Sequence, residues 1–205
     1  MTGRFITFEG IDGSGKSTQA KRLAASLKAD GVDVVLTREP GGSAGAEEIR
    51  RLLVEGDPDR WSGETEILLF TAARRDHLEK TILPALSAGK TVISDRFADS
   101  TRVYQGAARG DLRQIVDQLH ALIIGREPDL TFIIDMDPAV ALRRGLARSS
   151  GEDRFEDLGL PFQEKLRDGF QTLALESPER FRTINGNDTP DAVAETVRAV
   201  LNALV

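Results

Sequence analysis

The sequence predicts an α/β fold, a mostly parallel sheet flanked by helices, and three observations support this. Short apolar runs alternate with segments of helical periodicity, as in chains built from βαβ units. Several of these runs are continuously apolar, which is typical of parallel strands buried on both faces. A glycine-rich stretch, residues 10–17, separates the first apolar run from the first helical pattern.

The apolar runs predict five strands. Helices are expected in the intervals, the first of them after residue 16, where apolar residues recur at helical spacing. Two further helices are expected after Asp137-Pro138 and after Thr189-Pro190, because an N-cap residue followed by proline is a common helix start. The predicted strands are residues 5–8, 32–36, 91–93, 130–134 and 181–184.

Two segments interrupt this alternation. Residues 38–45 are rich in glycine and predict a loop, and residues 149–157 are polar and charged and predict a mobile segment. Neither an internal repeat nor a long linker divides the 205 residues. We therefore expect a single domain over residues 1–205, with a short lid at about residues 143–157.

The composition excludes several classes of function. Because there is no cysteine, disulfides, thiolate metal sites and a catalytic thiol are excluded. The net charge of −6 disfavours binding to a nucleic-acid polymer. No signal peptide precedes the first strand and no apolar run approaches the roughly 20 residues of a membrane span. A soluble, cytoplasmic protein without a membrane partner is expected.

The glycine-rich stretch reads GIDGSGKS and matches G-x-x-x-x-G-K-[ST] at every fixed position. Its backbone N–H groups and the helix N-terminus that follows it suit phosphate oxygens. Lys16 is expected to reach the β- and γ-phosphates, and the hydroxyl of Ser17 to bind Mg²⁺. The motif predicts a nucleoside triphosphate site but not its reaction. The predicted ATP-binding residues of this stretch are Gly10, Ile11, Asp12, Gly13, Ser14, Gly15, Lys16, Ser17 and Thr18.

A small kinase is favoured among proteins with this motif. A GTPase would need a guanine-reading NKxD stretch, which the sequence lacks, and a motor would normally be larger. A kinase needs an acid near the metal and an anion site for the acceptor. Asp95 and Arg96 follow a strand at the edge of the sheet where ligands bind, so Asp95 is a candidate metal ligand and Arg96 a candidate phosphate clamp. A buried structural ion pair is the alternative interpretation.

A kinase also needs a basic lid over the transferring phosphoryl group. Arg143, Arg144, Arg148 and Arg154 are the candidates, and a solvated, charged helix end is the alternative. Arg144 is assigned to the ATP side. The loop at residues 185–188 is the candidate for the adenine contact.

Six segments together resemble the bacterial thymidylate kinase (dTMP kinase) family over essentially the whole chain. They are ITFEGIDGSGKST (6–18), TREPGG (37–42), LLFTAARRDHL (68–78), SDRFADSTRVYQGAARG (94–110), PDLTFIIDMDP (128–138) and GEDRFE (151–156). The resemblance implies a P-loop nucleoside-monophosphate-kinase-like, three-layer fold with a five-stranded sheet. It also implies a homodimer that transfers the γ-phosphoryl group of ATP to dTMP with Mg²⁺, giving dTDP and ADP, a step in dTTP synthesis.

The resemblance further implies a dTMP pocket. Phe70 would stack on the thymine ring and Arg74, one helical turn later, would hydrogen-bond the base. Considered alone, Phe70 fits an ordinary core position equally well. The implied dTMP-binding residues are Glu39, Pro40, Arg50, Phe70, Arg74, Arg96, Thr101, Tyr104 and Gln105.

The P-loop contains an acid, Asp12, where like charges would repel unless Mg²⁺ or an arginine intervenes. The family's acid at this position helps to place the acceptor nucleotide, and an Asx turn is the alternative. Since no basic residue precedes Lys16 in the loop, the chain resembles the family branch with catalytic arginines in the lid. Arg148 is the first candidate and Arg154 the second. The implied catalytic residues are therefore Asp12, Lys16, Arg96, Arg148 and Arg154.

The expected reaction is direct in-line transfer without a covalent intermediate. The attacking phosphate oxygen is already anionic, so no strong base is needed, and His77 and His120 are expected to be structural. Two alternatives remain open from the residues. One is a kinase of another monophosphate or of a nucleoside, and the other is a non-enzymatic nucleotide-binding switch.

Overall fold

A computed structural model describes residues 3–56, 60–108, 110–147 and 159–204. Its centre is a five-stranded sheet of order β2-β3-β1-β4-β5, in which all four pairings are parallel. The predicted α/β fold with a five-stranded parallel sheet is therefore confirmed. The strands are β1 (Phe5–Glu9), β2 (Val34–Arg38), β3 (Thr91–Asp95), β4 (Leu130–Asp135) and β5 (Phe181–Asn185).

Helices cover both faces of this sheet. They are α1 (Lys16–Ala29), α2 (Ala44–Val54), α3 (Gly63–His77), α4 (Leu83–Ser87), α5 (Ala98–Thr101), α6 (Arg113–Leu119), α7 (Pro138–Leu146), α8 (Gly159–Glu176) and α9 (Pro190–Ala203). The π-helical segments Leu78–Ile82, Arg102–Ala108 and His120–Ile124 continue α3, α5 and α6. Within the described ranges, no helix is long and apolar enough to cross a membrane.

Two of these helices begin where the sequence predicts. The Asp137 carboxylate accepts a hydrogen bond from the Val140 N–H at 3.0 Å, and α7 starts at the next proline. The Thr189 hydroxyl accepts one from the Ala192 N–H at 3.3 Å at the start of α9. Each cap satisfies a backbone donor that has no partner within its helix.

The core consists of two apolar layers, one on each face of the sheet. On one face Phe8 stacks on Phe132 at 5.2 Å between ring centroids, beneath α1 and α9. On the other face Phe5 meets the edge of Phe97 at 4.9 Å. Neighbouring residues of one strand thus enter opposite layers, which explains why the strands are continuously apolar.

Two predicted boundaries are wrong in detail. β2 begins at Val34, two residues later than expected, and Val32 is exposed. The loop predicted at 38–45 is shorter, because Arg38 still pairs with β3 and Ala44 already begins α2. The hydrogen-bonded ladder continues past the apolar run irrespective of side-chain polarity. The segment at 149–157 lies outside the described residues.

Candidate active site

The glycine-rich loop occupies the turn between β1 and α1. Gly10, Gly13 and Gly15 have φ of 138°, 82° and 94°, a region that side chains disfavour. A Cβ on Gly13 would lie 1.9 Å from the carbonyl oxygen of Ala141, so the loop packs directly against α7. A Cβ on Gly15 would meet no described atom within 4 Å. The loop is thus closed against the protein on one side and open in front of the helix N-terminus, as an anion site requires.

The Lys16 side chain crosses this loop. Its ammonium donates to the carbonyl oxygen of Ile11 and to the Asp12 carboxylate, each at 3.3 Å. Burial and the nearby Arg96 lower the pKa of Lys16, whereas Asp12 and Asp95 oppose the shift. The Lys16 ammonium is therefore held within the loop by the Ile11 carbonyl and the Asp12 carboxylate.

Asp12 joins the loop to a neighbouring cavity. Its carboxylate accepts hydrogen bonds from the Arg96 guanidinium at 2.5 Å and from the Tyr104 hydroxyl at 2.7 Å. Burial alone would raise the pKa of Asp12, but Arg96 and Lys16 outweigh it and hold the pKa well below its usual range. Among the described residues the carboxylate binds side chains rather than the loop backbone of an Asx turn. The arginine that the acid needs is Arg96.

Arg96 follows the last residue of β3 with φ of +71°, unlike any other non-glycine residue in the described ranges. This left-handed conformation costs about 1 kcal/mol or more. Its N–H donates to the carbonyl oxygen of Phe8 at 2.9 Å, and its Nη1 donates to the Ser100 hydroxyl at 2.7 Å and the Gly10 carbonyl at 3.3 Å. The turn aims the guanidinium across the sheet edge towards the glycine-rich loop.

The sequence interpretation missed Glu9, which ends β1 and is fully buried. Its carboxylate accepts hydrogen bonds from the Phe97 N–H at 2.8 Å and from the Ser100 hydroxyl at 2.6 Å. Burial and then Asp99 raise the pKa of Glu9 to about 7, against the lowering effect of Arg96. An acid at the end of an otherwise apolar strand was the signal that could have identified it.

Glu9 predicts a pH dependence of stability. Its folded-state pKa of about 7 lies above the ordinary value of 4.5 for a glutamate, so it contributes stability at low pH that is lost as the pH rises through about 7. Relative to the native chain, Glu9→Gln should become more stable by up to about 3 kcal/mol between pH 4.5 and pH 8. Urea unfolding of both proteins at each pH measures this change, and a difference that does not vary with pH would contradict it.

The cavity beside the glycine-rich loop contains about 690 Å³ of empty space including its open mouth. All nine residues implied for dTMP line it, together with Asp12. Val54, Phe97 and Ser100 also line it and were not anticipated. The full lining is Asp12, Glu39, Pro40, Arg50, Val54, Phe70, Arg74, Arg96, Phe97, Ser100, Thr101, Tyr104 and Gln105.

Part of the cavity lining suits a planar group with polar edges. Phe70 is half-buried and belongs to the wall rather than to the core. Arg74 is buried, and its Nη2 donates to the Thr101 hydroxyl at 3.0 Å. The Gln105 amide donates to the buried Glu66 carboxylate at 3.1 Å, a partner that the sequence did not indicate. Arg50 donates to the carbonyl oxygen of Pro40 at 2.5 Å, and both Arg50 and Arg96 line the cavity.

Asp95 and Ser17 are compatible with a magnesium ion. The Oδ1 atom of Asp95 is buried and has no hydrogen-bond partner in the part of the chain that the structure describes. A buried, unpaired carboxylate oxygen is costly unless a cation or water satisfies it. The described ranges hold no cluster of three or more acidic or histidine ligands. Two protein ligands suit Mg²⁺, which keeps several waters and binds substrate phosphates.

The remaining predicted residues lie around the loop. Thr18 is exposed in the first turn of α1, and Arg144 is exposed on α7. A Cβ on Gly186 would lie 3.4 Å from the carbonyl oxygen of Ser14, so the loop at 185–188 is adjacent to the glycine-rich loop. Arg148 and Arg154 lie outside the described residues.

Comparison with known proteins decides the family. The family model described as thymidylate kinase matches residues 8–197, which include the glycine-rich loop and every described cavity residue. The chain belongs to the thymidylate kinase family. It is therefore a nucleoside monophosphate kinase, and the resemblance seen in the sequence is confirmed.

Individual thymidylate kinases are similar to the chain over nearly its whole length. A thymidylate kinase of Dinoroseobacter shibae is 71% identical over 97% of the chain and 96% of its own length. One of Ruegeria pomeroyi is 68% identical over 98% and 95%. The crystal structure of thymidylate kinase from Ehrlichia chaffeensis is 40% identical, with a TM-score of 0.79 over 98% of this chain and 99% of that one.

Proposed function

We propose that this chain, as one kinase domain, transfers the γ-phosphoryl group of ATP to dTMP, giving dTDP and ADP. Family membership supports the reaction, and one structural observation supports the assignment of residues. The Asp12 carboxylate is at once part of the glycine-rich loop and part of the cavity wall, where it binds Arg96 and Tyr104. ATP bound at the loop and dTMP bound in the cavity would therefore meet at this residue.

The residues that line the cavity suit both the base and the phosphate of dTMP. Phe70 offers a ring face for the base and Arg74 a donor for a base carbonyl. Arg50 and Arg96 offer charge to the phosphate at the carboxyl edge of the sheet. Tyr104 lines the cavity in contact with Asp12 and Arg96, where the sugar next to the phosphate would lie.

In the proposed step an oxygen of the dTMP phosphate attacks the γ-phosphorus of ATP in line. The bond from the γ-phosphorus to the β–γ bridging oxygen breaks, and its electron pair leaves with ADP. Lys16 and Arg96 stabilise the charge that spreads over the γ-phosphoryl oxygens. The attacking oxygen is anionic, and the two carboxylates of the cavity, Asp12 and Glu39, are both paired with arginine. This pairing favours a phosphate acceptor over a nucleoside hydroxyl, which would need a free base.

The donor side of the site is completed by a metal and by arginines. Ser17 and Asp95 would hold Mg²⁺, which neutralises phosphate charge when bound. Arg144 is assigned to ATP, and Arg148 and Arg154 to the transferring phosphoryl group. Positive charge that arrives with a closing lid would act only when both nucleotides are bound.

The test of this function is ADP release from ATP and Mg²⁺ with a panel of nucleoside monophosphates and with thymidine. We expect dTMP to give the highest kcat/KM, and ADP release without an acceptor to be at least about 100-fold slower. Thymidine as the preferred acceptor would establish a nucleoside kinase. Equal ADP release with and without acceptors would establish a hydrolase or switch instead.

We also propose that the chain forms a homodimer in the cytoplasm. The dimer is supported by an apolar groove formed by α3, α6 and the π-helical segment His120–Ile124. Leu68, Ile115 and Leu122 line it with 57%, 40% and 79% of their surface exposed. Clustered, exposed apolar side chains are typical of protein interfaces.

Leu122→Asp is expected to convert the dimer to a monomer, because burying a carboxylate in an apolar interface is costly. Light scattering coupled to gel filtration measures the mass. The matched control is Leu175→Asp on α8, since Leu175 is 83% exposed and does not line this groove. A native protein with the mass of one chain, or a Leu122→Asp dimer as tight as the native one, would contradict the proposal.

A further inference from the structure

His77 is fully buried, yet two polar partners engage both nitrogens of its ring. Nδ1 lies 2.9 Å from Oε1 of Glu39, and Nε2 lies 2.7 Å from the hydroxyl of Thr37. Since an ionised carboxylate only accepts hydrogen bonds, Nδ1 carries the proton and donates to Glu39. The ring is also fixed by backbone, because a Cβ on Gly42 would lie 2.4 Å from Nε2.

Glu39 connects His77 to Arg74, a residue of the cavity wall. Its second oxygen, Oε2, accepts a hydrogen bond from Nε of Arg74 at 2.7 Å, and both side chains of this ion pair are 4% exposed. His77 and Arg74 are three residues apart on α3, so one carboxylate spans two neighbouring side chains of the same helix face. Without the bond from His77, one oxygen of Glu39 would lose its donor and the carboxylate could rotate.

The orientation of Arg74 determines which of its nitrogens remains for a ligand. Nε is bonded to Glu39, and Nη2 to the Thr101 hydroxyl and to the carbonyl oxygen of Phe97. Nη1 makes no hydrogen bond to any part of the chain that the structure describes, although Arg74 lines the cavity. A guanidinium fixed at three of its five N–H donors presents the two donors of Nη1 in a defined direction.

We propose that His77 is a positioning residue for base recognition. Through Glu39 it fixes the Arg74 guanidinium so that Nη1 faces the base of the bound monophosphate. The inference rests on the proposed function, since it concerns the same cavity. It assigns a role to a residue that the sequence indicated only as structural.

Two variants separate the two hydrogen bonds of His77. In His77→Gln the amide oxygen can take the place of Nε2 as acceptor from the Thr37 hydroxyl, and no donor occupies the position of Nδ1 opposite Glu39. In His77→Asn the amide nitrogen can take the place of Nδ1 and keep the bond to Glu39. We expect the KM for dTMP to rise about tenfold in His77→Gln and to stay within about threefold of native in His77→Asn. The kcat at saturating dTMP and the KM for ATP should stay within about twofold in both.

A double-mutant cycle with Arg74→Ala tests whether His77 acts through Arg74. In the Arg74→Ala background, adding His77→Gln should leave the dTMP KM unchanged, because the positioned group is absent. A further tenfold rise there would overturn the proposal, as would an equal rise in His77→Gln and His77→Asn. If His77→Gln does not fold, His77→Asn alone decides, because a tenfold rise in its dTMP KM contradicts the role of the Nδ1 donor. A native protein inactive with dTMP would refute the proposed function instead.

Discussion

Replacing Arg96 by alanine is expected to lower kcat/KM for dTMP by about 10³-fold. The guanidinium binds Asp12 and Ser100 and projects into the cavity, where it would bind the acceptor phosphate and the transferring group. Arg96→Lys should restore little of this loss, because an ammonium is a single point charge and cannot bind several partners in one plane. Steady-state kinetics with varied dTMP measure the effect.

Two controls distinguish the loss of the Arg96 charge at the site from a change in the protein's net charge and from a loss of stability. Arg22→Ala removes an arginine in an exposed ion pair with Asp191 and should leave kcat/KM within twofold. Arg96→Gly should be more stable than Arg96→Ala by about 1 kcal/mol, since glycine adopts the φ of +71° without strain. Full activity of Arg96→Ala would remove Arg96 from the proposed step.

Replacing Lys16 by methionine is expected to lower kcat by about 10³-fold while the affinity for dTMP changes by less than about threefold. Methionine approximates the length of the lysine stem without its charge, and the ammonium acts on the phosphates of ATP rather than on the acceptor. Single-turnover phosphoryl transfer and calorimetric binding of dTMP measure the two quantities separately.

Lys21→Met is the matched control for Lys16→Met, because Lys21 lies on the same helix and is exposed. It should have native kcat and native dTMP affinity. If Lys16→Met kept kcat within tenfold of native, the glycine-rich loop would not be the site of the transferred phosphoryl group. If it lost dTMP affinity instead, Lys16 would act on the acceptor.

The order of strands and helices could be predicted because it depends on local patterns. Apolar runs gave all five strands, and proline after Asp137 and Thr189 marked two helix starts. The boundary errors near Val32 and Ala44 arose because backbone pairing and N-caps, not apolarity, determine where elements end. The motif at residues 10–17 was recognisable because its glycines adopt the positive φ angles that this short turn needs, and all of them lie within eight residues of sequence.

The cavity was predicted only through resemblance to a family. Phe70 is an example, because its neighbours Ile67 and Leu69 are apolar and its sequence position fits a core residue equally well. Only its half-buried position beside Arg74 shows that it belongs to a wall. Helical periodicity gives the face of a residue but not what lies opposite that face.

Local patterns in the sequence determined the parallel α/β fold and the phosphate-binding loop, and the family resemblance predicted the residues of the acceptor cavity. Tertiary structure alone decided how charges pair. Glu9 and Asp12, at and just after the end of β1, meet Arg96, which follows β3, at one edge of the sheet. His77 on α3 meets Glu39, which follows β2. The reason is physical: the energy of a buried charge depends on its nearest partners, and those of Asp12 and Glu9 lie up to 92 residues away in the chain.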